Sequence, residues 1–154
     1  MTSSRQYDRG ELRDLVCRYG VAFDTLDLER FDALWTDDGK LEIFQAGPGA
    51  PPTGRLRKGR FQIAFDRMAA YRCTLHHVTT QVVTFDGPEA DGIVHCEAHH
   101  ISASEPFTDL VMQVRYVDRY RNDAHVGWRL ARRRVEVVTT TELPTSPTAL
   151  TPDR

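Results

Sequence analysis

Residues 11–42 read ELRDLVCRYGVAFDTLDLERFDALWTDDGKLE. From Glu11 to about Thr25 the apolar side chains fall at Leu12, Leu15, Val16, Tyr19, Ala22 and Phe23, the spacing of a helix with one buried stripe. Asp27 is suited to cap a second, short helix, because its carboxylate can accept from the first free backbone N–H groups. Leu28, Phe31, Leu34 and Trp35 then repeat at three and four. Thr36-Asp37-Asp38-Gly39 is a turn cluster, and Lys40 to Phe44 alternates polar and apolar as a strand does.

Outward from this segment, residues 1–9 form a polar lead-in expected to fray. Residues 46–58, AGPGAPPTGRLRK, are rich in proline and glycine and predict a loop that can lie over a pocket mouth. Arg60 to Tyr71 returns to helical spacing through Phe61, Ala64, Phe65 and Met68. The period then changes. Thr74–Phe85, Ala90–Ser102, Phe107–Tyr120 and Val126–Thr141 are rich in β-branched and aromatic residues, parted by turns at Asp86-Gly87-Pro88 and Arg121-Asn122-Asp123. Residues 1–141 therefore predict a single domain, followed by a Pro/Thr-rich tail over 142–154. Helices that precede a sheet, rather than alternating with its strands, indicate the α+β class. Three N-terminal helices cover a long, curved, mainly antiparallel sheet only in part, which leaves a conical cavity between the layers.

Composition narrows the function. The 154 residues carry 20 basic and 22 acidic side chains, so the formal charge of −2 offers no drive toward nucleic acid or an anionic membrane. No apolar run reaches the ~18 residues of a membrane helix. The N-terminus MTSSRQYDRGE has no apolar signal segment, so a cytoplasmic location is expected. Cys17, Cys73 and Cys96 form no CxxC pair and read as reduced structural thiols. The run Arg132-Arg133-Arg134 lies on a strand, where alternation divides it between two faces and favours charge pairing over a basic patch.

Several polar residues do not fit a core. Asp24 follows directly on the apolar stripe of the first helix and lies on its flank, where a helix wall meets a cavity. Tyr19 stands five residues earlier, closer to the stripe. His76 and His77 begin the first long strand, and alternation sends one to each face. His76 shares its face with Val78, Thr80 and Val82, a weak preference for pointing inward. On the next strand Val94, Cys96, Ala98 and His100 form one face and His95, Glu97 and His99 the other, so His100 is the better inward candidate. Two histidines and an aspartate match a facial metal triad in kind. No histidine pair has local ligand geometry, so neither a metal nor another cofactor is expected.

These segments resemble the SnoaL-like group of the nuclear-transport-factor-two-like superfamily, which also holds scytalone dehydratase, bile-acid dehydratase and ketosteroid isomerase. The resembling stretches are residues 11–42 quoted above, LHHVTTQVVTFDG at 75–87, AHH at 98–100 and RYVDRY…GWRLARRRVEV at 115–137. The resemblance implies a cone-shaped α+β barrel. It also implies that Asp24 pairs with His76 as general base, because His76 stands ten residues before Asp86 of the DG turn, as the family histidine does. His100 roughly matches a second strand histidine, and Tyr19 matches the bile-acid dehydratase tyrosine, five residues before its aspartate. Phe23 replaces the tyrosine that precedes the aspartate in scytalone dehydratase, which argues against scytalone as substrate.

An imidazole, with an ordinary pKa near ~6.5, accepts a proton at neutral pH, and a carboxylate on its other nitrogen fixes the tautomer. Tyr19 or His100 then donates to a leaving hydroxyl or polarises a carbonyl. The expected function is a cofactor-free lyase or isomerase that dehydrates an apolar cyclic substrate, of polyketide, steroid or terpenoid type, or shifts its double bond. Phe23, Trp35, Phe61, Phe65, Met68, Val78 and Tyr116 are the expected pocket lining. The alternatives are a non-catalytic apolar-ligand or assembly protein of the same fold, or the small subunit of a ring-hydroxylating oxygenase. Val83, Phe85, Val117 and Val137, expected on the outer sheet face, point to a homodimer or homotrimer.

Overall fold

The computed structural model describes residues 2–46 and 49–148. Helix α1 spans Thr2–Asp24 and α2 spans Leu28–Ala33. Strand β1, Trp35–Phe44, follows, then β2, Gly54–Arg57, and helix α3, Gln62–Ala69. Four long strands follow among the described residues: β3 at Cys73–Asp86, β4 at Glu89–Ile101, β5 at Thr108–Asp123 and β6 at Gly127–Pro144. The six strands form one sheet in the order β2-β1-β6-β5-β4-β3. Among the described residues, only β1 against β6 is parallel. This is the expected α+β architecture, three helices on a curved, mostly antiparallel sheet.

Helix α1 is longer than its apolar stripe. Residues 2–9 are helical rather than a frayed lead-in, and long-range contacts explain why. Trp128 donates its indole N–H to Asp8 Oδ1 at 3.0 Å, and Arg9 donates to the Val83 carbonyl at 3.1 Å. The Arg5 guanidinium lies 4.8 Å from the centre of the Phe85 ring. Polar residues are thus held helical by the strands beneath them. Met1 lies outside the described residues.

The turn cluster at residues 36–39 is part of β1. Trp35 pairs with Leu130 and Lys40 with Arg132, so the extra residues form a bulge against β6 rather than ending the strand. The proline-rich loop contains β2, whose Leu56 pairs with Leu41 in an antiparallel ribbon at the sheet edge. Strand β6 also runs past the expected boundary at Thr141, and Pro144 pairs with Thr108. The remainder of the tail from Ala149 lies outside the described residues.

Two single-residue bulges reverse the expected facing of several side chains. In β3, Val78 pairs with Cys96 but Thr80 with His95, so Thr79 is an insertion. In β6, Leu130 pairs with Tyr120 but Arg132 with Arg119, so Ala131 is another. Because side chains alternate with period two, each insertion exchanges inner and outer positions beyond it. Val83 and Phe85 therefore pack into the core, and Val137 lines the cavity, instead of facing outward. Val117, opposite Ile93, keeps its outer position.

The core lies between the helices and the concave face, with Leu12, Val16, Phe31, Trp35, Phe61, Tyr120 and Leu130 fully buried. Burying each such side chain contributes roughly 1.5–3 kcal/mol. The core also holds a charge pair. Arg133 donates from Nε to Asp118 Oδ1 at 2.8 Å and from Nη2 to Oδ2 at 2.6 Å, with neither side chain exposed. Tyr120 donates to Asp118 Oδ2 at 2.5 Å, and the Arg133 guanidinium lies 4.1 and 4.0 Å from the ring centres of Tyr19 and Tyr116. Its flanking arginines point outward, Arg132 to Glu42 and Arg134 to Glu136.

Candidate active site

Asp24 is the last residue of α1, and the helix end fixes it. The Asp27 N–H bonds the Ala22 carbonyl at 2.9 Å and the Leu26 N–H bonds the Phe23 carbonyl at 3.1 Å. This is a Schellman closure, with Leu26 at φ 55 in the left-handed position that glycine usually takes. A carboxylate at a helix C-terminus opposes the helix dipole, so Asp24 needs other partners. It has three. Oδ1 accepts from His76 Nδ1 at 2.7 Å and from Thr74 Oγ1 at 2.9 Å, and Oδ2 accepts from the His76 backbone N–H at 2.9 Å.

His76 belongs to the inner face of β3, beside the cavity. With Nδ1–H given to a carboxylate, its Nε2 carries the lone pair. The Phe23 ring stacks on the imidazole at 5.7 Å and 21°. Gly20 of α1 makes this approach possible, since a Cβ there would stand 3.0 Å from His76 Cβ and 3.4 Å from its carbonyl oxygen.

His100 also faces inward and is 5% exposed. Its ring lies 6.0 Å from that of His76 and 5.0 Å from that of Tyr71. Nδ1 lies 3.2 Å from the Leu110 carbonyl, which can only accept, so Nδ1 carries the proton and Nε2 the lone pair. Burial lowers the His100 pKa below the ordinary histidine value, with the bond to Leu110 opposing. Tyr19 is buried with its hydroxyl beside Arg133, and burial raises its pKa well above that of a free phenol. Burial raises Tyr116 and the Cys96 thiol likewise, which fits Cys96 as a structural residue.

A cavity of about 440 Å³ opens beside His76 and His100. Of the residues expected to line it, Phe23, Met68 and Tyr116 do, together with Tyr19. Trp35, Phe61, Phe65 and Val78 do not. Trp35, Phe61 and Phe65 are packed ring against ring around Phe31 beneath the cavity, and Val78 packs against the core. Helical spacing identified these aromatics as inward-facing but carried no depth. The wall is instead largely aliphatic, from Leu41, Ile43, Leu56, Met112, Val135 and Val137, with Gln45, Arg67 and Tyr71 among its polar members. Thr74 was missed as a site residue. Its signal was its position two residues before His76, on the same face of β3.

The other member of each histidine pair faces the other way. His77 and His99 lie on the outer face of the sheet with Glu97.

No curated relative matches the chain in sequence. Solved structures do match in fold. A hexachlorocyclohexane dehydrochlorinase, LinA type 2, superposes with a TM-score of 0.81 at 17% identity, over 97% of this chain and 100% of its own. The Kfla4162 protein of Kribbella flavida gives 0.76 at 23% identity, over 89% and 95%. An NTF2-like protein with a cystatin-like fold from Novosphingobium aromaticivorans gives 0.68 at 22% identity, over 97% and 90%. No helix among the described residues is long and apolar enough to cross a membrane. The SnoaL-like domain matches over residues 4–134, and with the fold described above this chain belongs to the SnoaL-like family, within the nuclear-transport-factor-two-like fold.

Proposed function

We propose that this protein is a cofactor-free acid–base catalyst that eliminates water from an apolar cyclic substrate, or shifts its double bond, with His76 as the base. The observation that carries this reading is the 2.7 Å bond between Asp24 Oδ1 and His76 Nδ1, behind an imidazole that faces an apolar cavity. His76 Nε2 takes the proton from the carbon next to a carbonyl. The C–H electron pair forms the new double bond, and the hydroxyl on the adjacent carbon leaves. The imidazolium, stabilised by Asp24, returns the proton to that hydroxyl on the same face, so the products are water and a conjugated ketone. In double-bond isomerisation the proton returns to carbon instead.

His100 enters as an acceptor for a substrate hydroxyl, since its neutral tautomer presents a lone pair at Nε2. Tyr19 is left as the hydrogen-bond donor toward a developing oxyanion. Asp24 acts through His76. The aliphatic wall supports a polyketide-, steroid- or terpenoid-sized ring system as the substrate class. The dehydrochlorinase of the same fold, by its name, also performs an elimination. Exposed Val82, Ile93 and Val138 on the sheet support an assembly of two or three copies.

The test is a panel of β-hydroxy cyclic ketones in deuterated buffer. Enone formation is followed by ultraviolet absorbance and exchange at the α-carbon by NMR. Wild-type protein is expected to turn over at least one member, with His76→Ala slower by ~10²–10⁴-fold. Equal rates in wild type and His76→Ala would overturn the base assignment. Tight binding of the ketones without exchange or dehydration would establish an apolar-ligand carrier instead.

A further inference from the structure

We propose that His77, Glu97 and His99, on the outer face of the sheet, form a binding site for a divalent transition-metal cation of the zinc type. This site is independent of the cavity, because His76 and His100 occupy the opposite face of the same strands.

The geometry comes from strand register. His77 on β3 stands directly opposite Glu97 on β4, and His99 lies two residues further along the same face of β4. One ligand atom from each of the three falls within 4.8 Å of the others. His99 Nε2 is already 3.1 Å from Glu97 Oε1. Zinc–nitrogen and zinc–oxygen bonds are about 2.0–2.2 Å, so the donors must close by rotation of the exposed His77 side chain.

The surroundings are arranged as supports for such a site. His99 Nδ1 donates to Asp109 Oδ2 at 2.7 Å, and Nε2 lies 3.1 Å from Glu97 Oε1, which can only accept, so both ring nitrogens carry protons and the Nε2 proton is the one a bound cation replaces. A carboxylate behind a ligating imidazole is the usual outer-shell partner in metal sites. Gln113 on β5 donates to Glu97 Oε2 and leaves Oε1 toward the histidines.

Charge is the third observation. Four other carboxylates on the sheet are paired with arginine: Glu136 with Arg115, Glu89 and Asp91 with Arg119, Glu42 with Arg132. Among the described residues, Glu97 and Asp109 form ion pairs only with His99. Two carboxylates share one imidazole, so the cluster is left negative. A divalent cation supplies the missing charge. Two imidazoles and one carboxylate suit zinc, cobalt, nickel or iron(II) rather than the all-oxygen sets of calcium and magnesium. Three protein ligands leave at least one coordination position open to solvent.

The test uses the untagged full chain, stripped with chelator and titrated with zinc chloride by calorimetry. Cobalt(II) is the spectroscopic probe. One zinc per chain is expected, with a visible cobalt absorption band that zinc displaces. His77→Ala, a change at an exposed position, is expected to weaken zinc binding at least 100-fold with the fold intact by circular dichroism. Asp109→Asn is expected to weaken it by about 10–100-fold. His95→Ala, on the same face but outside the cluster, should bind as wild type does. Absence of zinc binding in the wild type would overturn the proposal. So would unchanged affinity in His77→Ala, the result expected if the ion were held by the exposed Cys17 thiol.

Discussion

The Asp24 carboxylate holds both ends of His76: Oδ1 accepts from the ring Nδ1 at 2.7 Å and Oδ2 from the backbone N–H at 2.9 Å. An amide in its place cannot satisfy both. In Asp24→Asn, if the amide oxygen faces the ring, the NH2 group meets the His76 backbone N–H, donor against donor. If the amide turns over, its NH2 meets Nδ1, the histidine changes tautomer, and Nε2 becomes a donor. The first arrangement costs about 1–2 kcal/mol for the unpaired donors, roughly 2–8 °C in melting temperature for a chain of this size. The second removes the base. We expect Asp24→Asn to lower the rate of the proposed reaction by ~10²–10⁴-fold and to lower the melting temperature measurably. A variant with full activity would show that the carboxylate does not set the His76 tautomer.

Gly20 makes a second, independent test of the same geometry. Glycine inside an exposed helix costs about 1 kcal/mol relative to alanine, so Gly20→Ala would ordinarily stabilise α1. Here a Cβ would stand 3.0 Å from His76 Cβ, and either the helix or β3 must give by a few tenths of an ångström. Asp24 rides on the helix and His76 on the strand, so their bond lengthens. The expected outcome is a kcat reduced by about 10-fold or more, with a melting temperature changed by only a few degrees. Unchanged kcat would show that the two elements adjust without separating the pair.

These two residues also show what was legible in the sequence. Asp24 and His76 stand out as polar residues beside a helix stripe and in a strand alternation, but alternation prefers His76 over His77 only weakly, and it is the resemblance to the SnoaL-like group that implies their pairing. Gly20 does not stand out, since a close approach between elements distant in the chain has no local signature. The inserted residues Thr79 and Ala131 were equally hidden. Neither is unusual in a strand, yet each exchanges the faces of the positions that follow it, in β6 as far as a further insertion at Val138, which is why Val83, Phe85 and Val137 were placed outside. Trp35, Phe61 and Phe65 were rightly read as inward, but periodicity gives direction and not depth, so core aromatics were taken for cavity lining. The polar start of α1 shows the same limit. Its helicity rests on Trp128, Val83 and Phe85, all far along the chain.

The Arg133–Asp118 pair has no exposure to water, and Arg133 Nη1 has no hydrogen-bond partner among the described residues. Removing one member of a buried pair leaves an uncompensated charge, at a typical cost of about 3–5 kcal/mol. Asp118→Asn is therefore expected to lower the urea midpoint severely. The double variant Asp118→Leu, Arg133→Met removes both charges and is expected to recover most of the loss, because desolvation then weighs on neither side chain. Urea unfolding of Asp118→Leu, of Arg133→Met and of the double variant measures this directly. Additive losses in the double variant would mean that the two side chains stabilise the core separately, through packing, rather than as a pair.

The same region dictates how the fold responds to alkali. Burial raises the pKa values of Tyr19, Tyr116 and Tyr120, and it does so against Arg133, which lowers each of them. Asp118 adds to the rise at Tyr19 and Tyr120, and Cys96 at Tyr19 and Tyr116. The unfolded chain releases phenolic protons near pH ~10, while the folded chain still holds these three. Above that pH the native state binds more protons than the unfolded state, so stability must fall as pH rises. Each fully shifted tyrosine contributes a slope of about 1.4 kcal/mol per pH unit, and none contributes below pH ~9. The measurement is urea unfolding between pH 8 and 11, with phenolate absorbance read in parallel. The midpoint is expected to hold to about pH 8 and then drop, the raised Cys96 thiol contributing first and the tyrosines above pH ~9. Of the five tyrosines, three should ionise only as the circular dichroism signal is lost. Tyr116→Phe should flatten the decline by about one third if the three contribute equally. Five phenolates formed in a chain that keeps its native circular dichroism would show that alkali reaches the buried ring cluster without unfolding it.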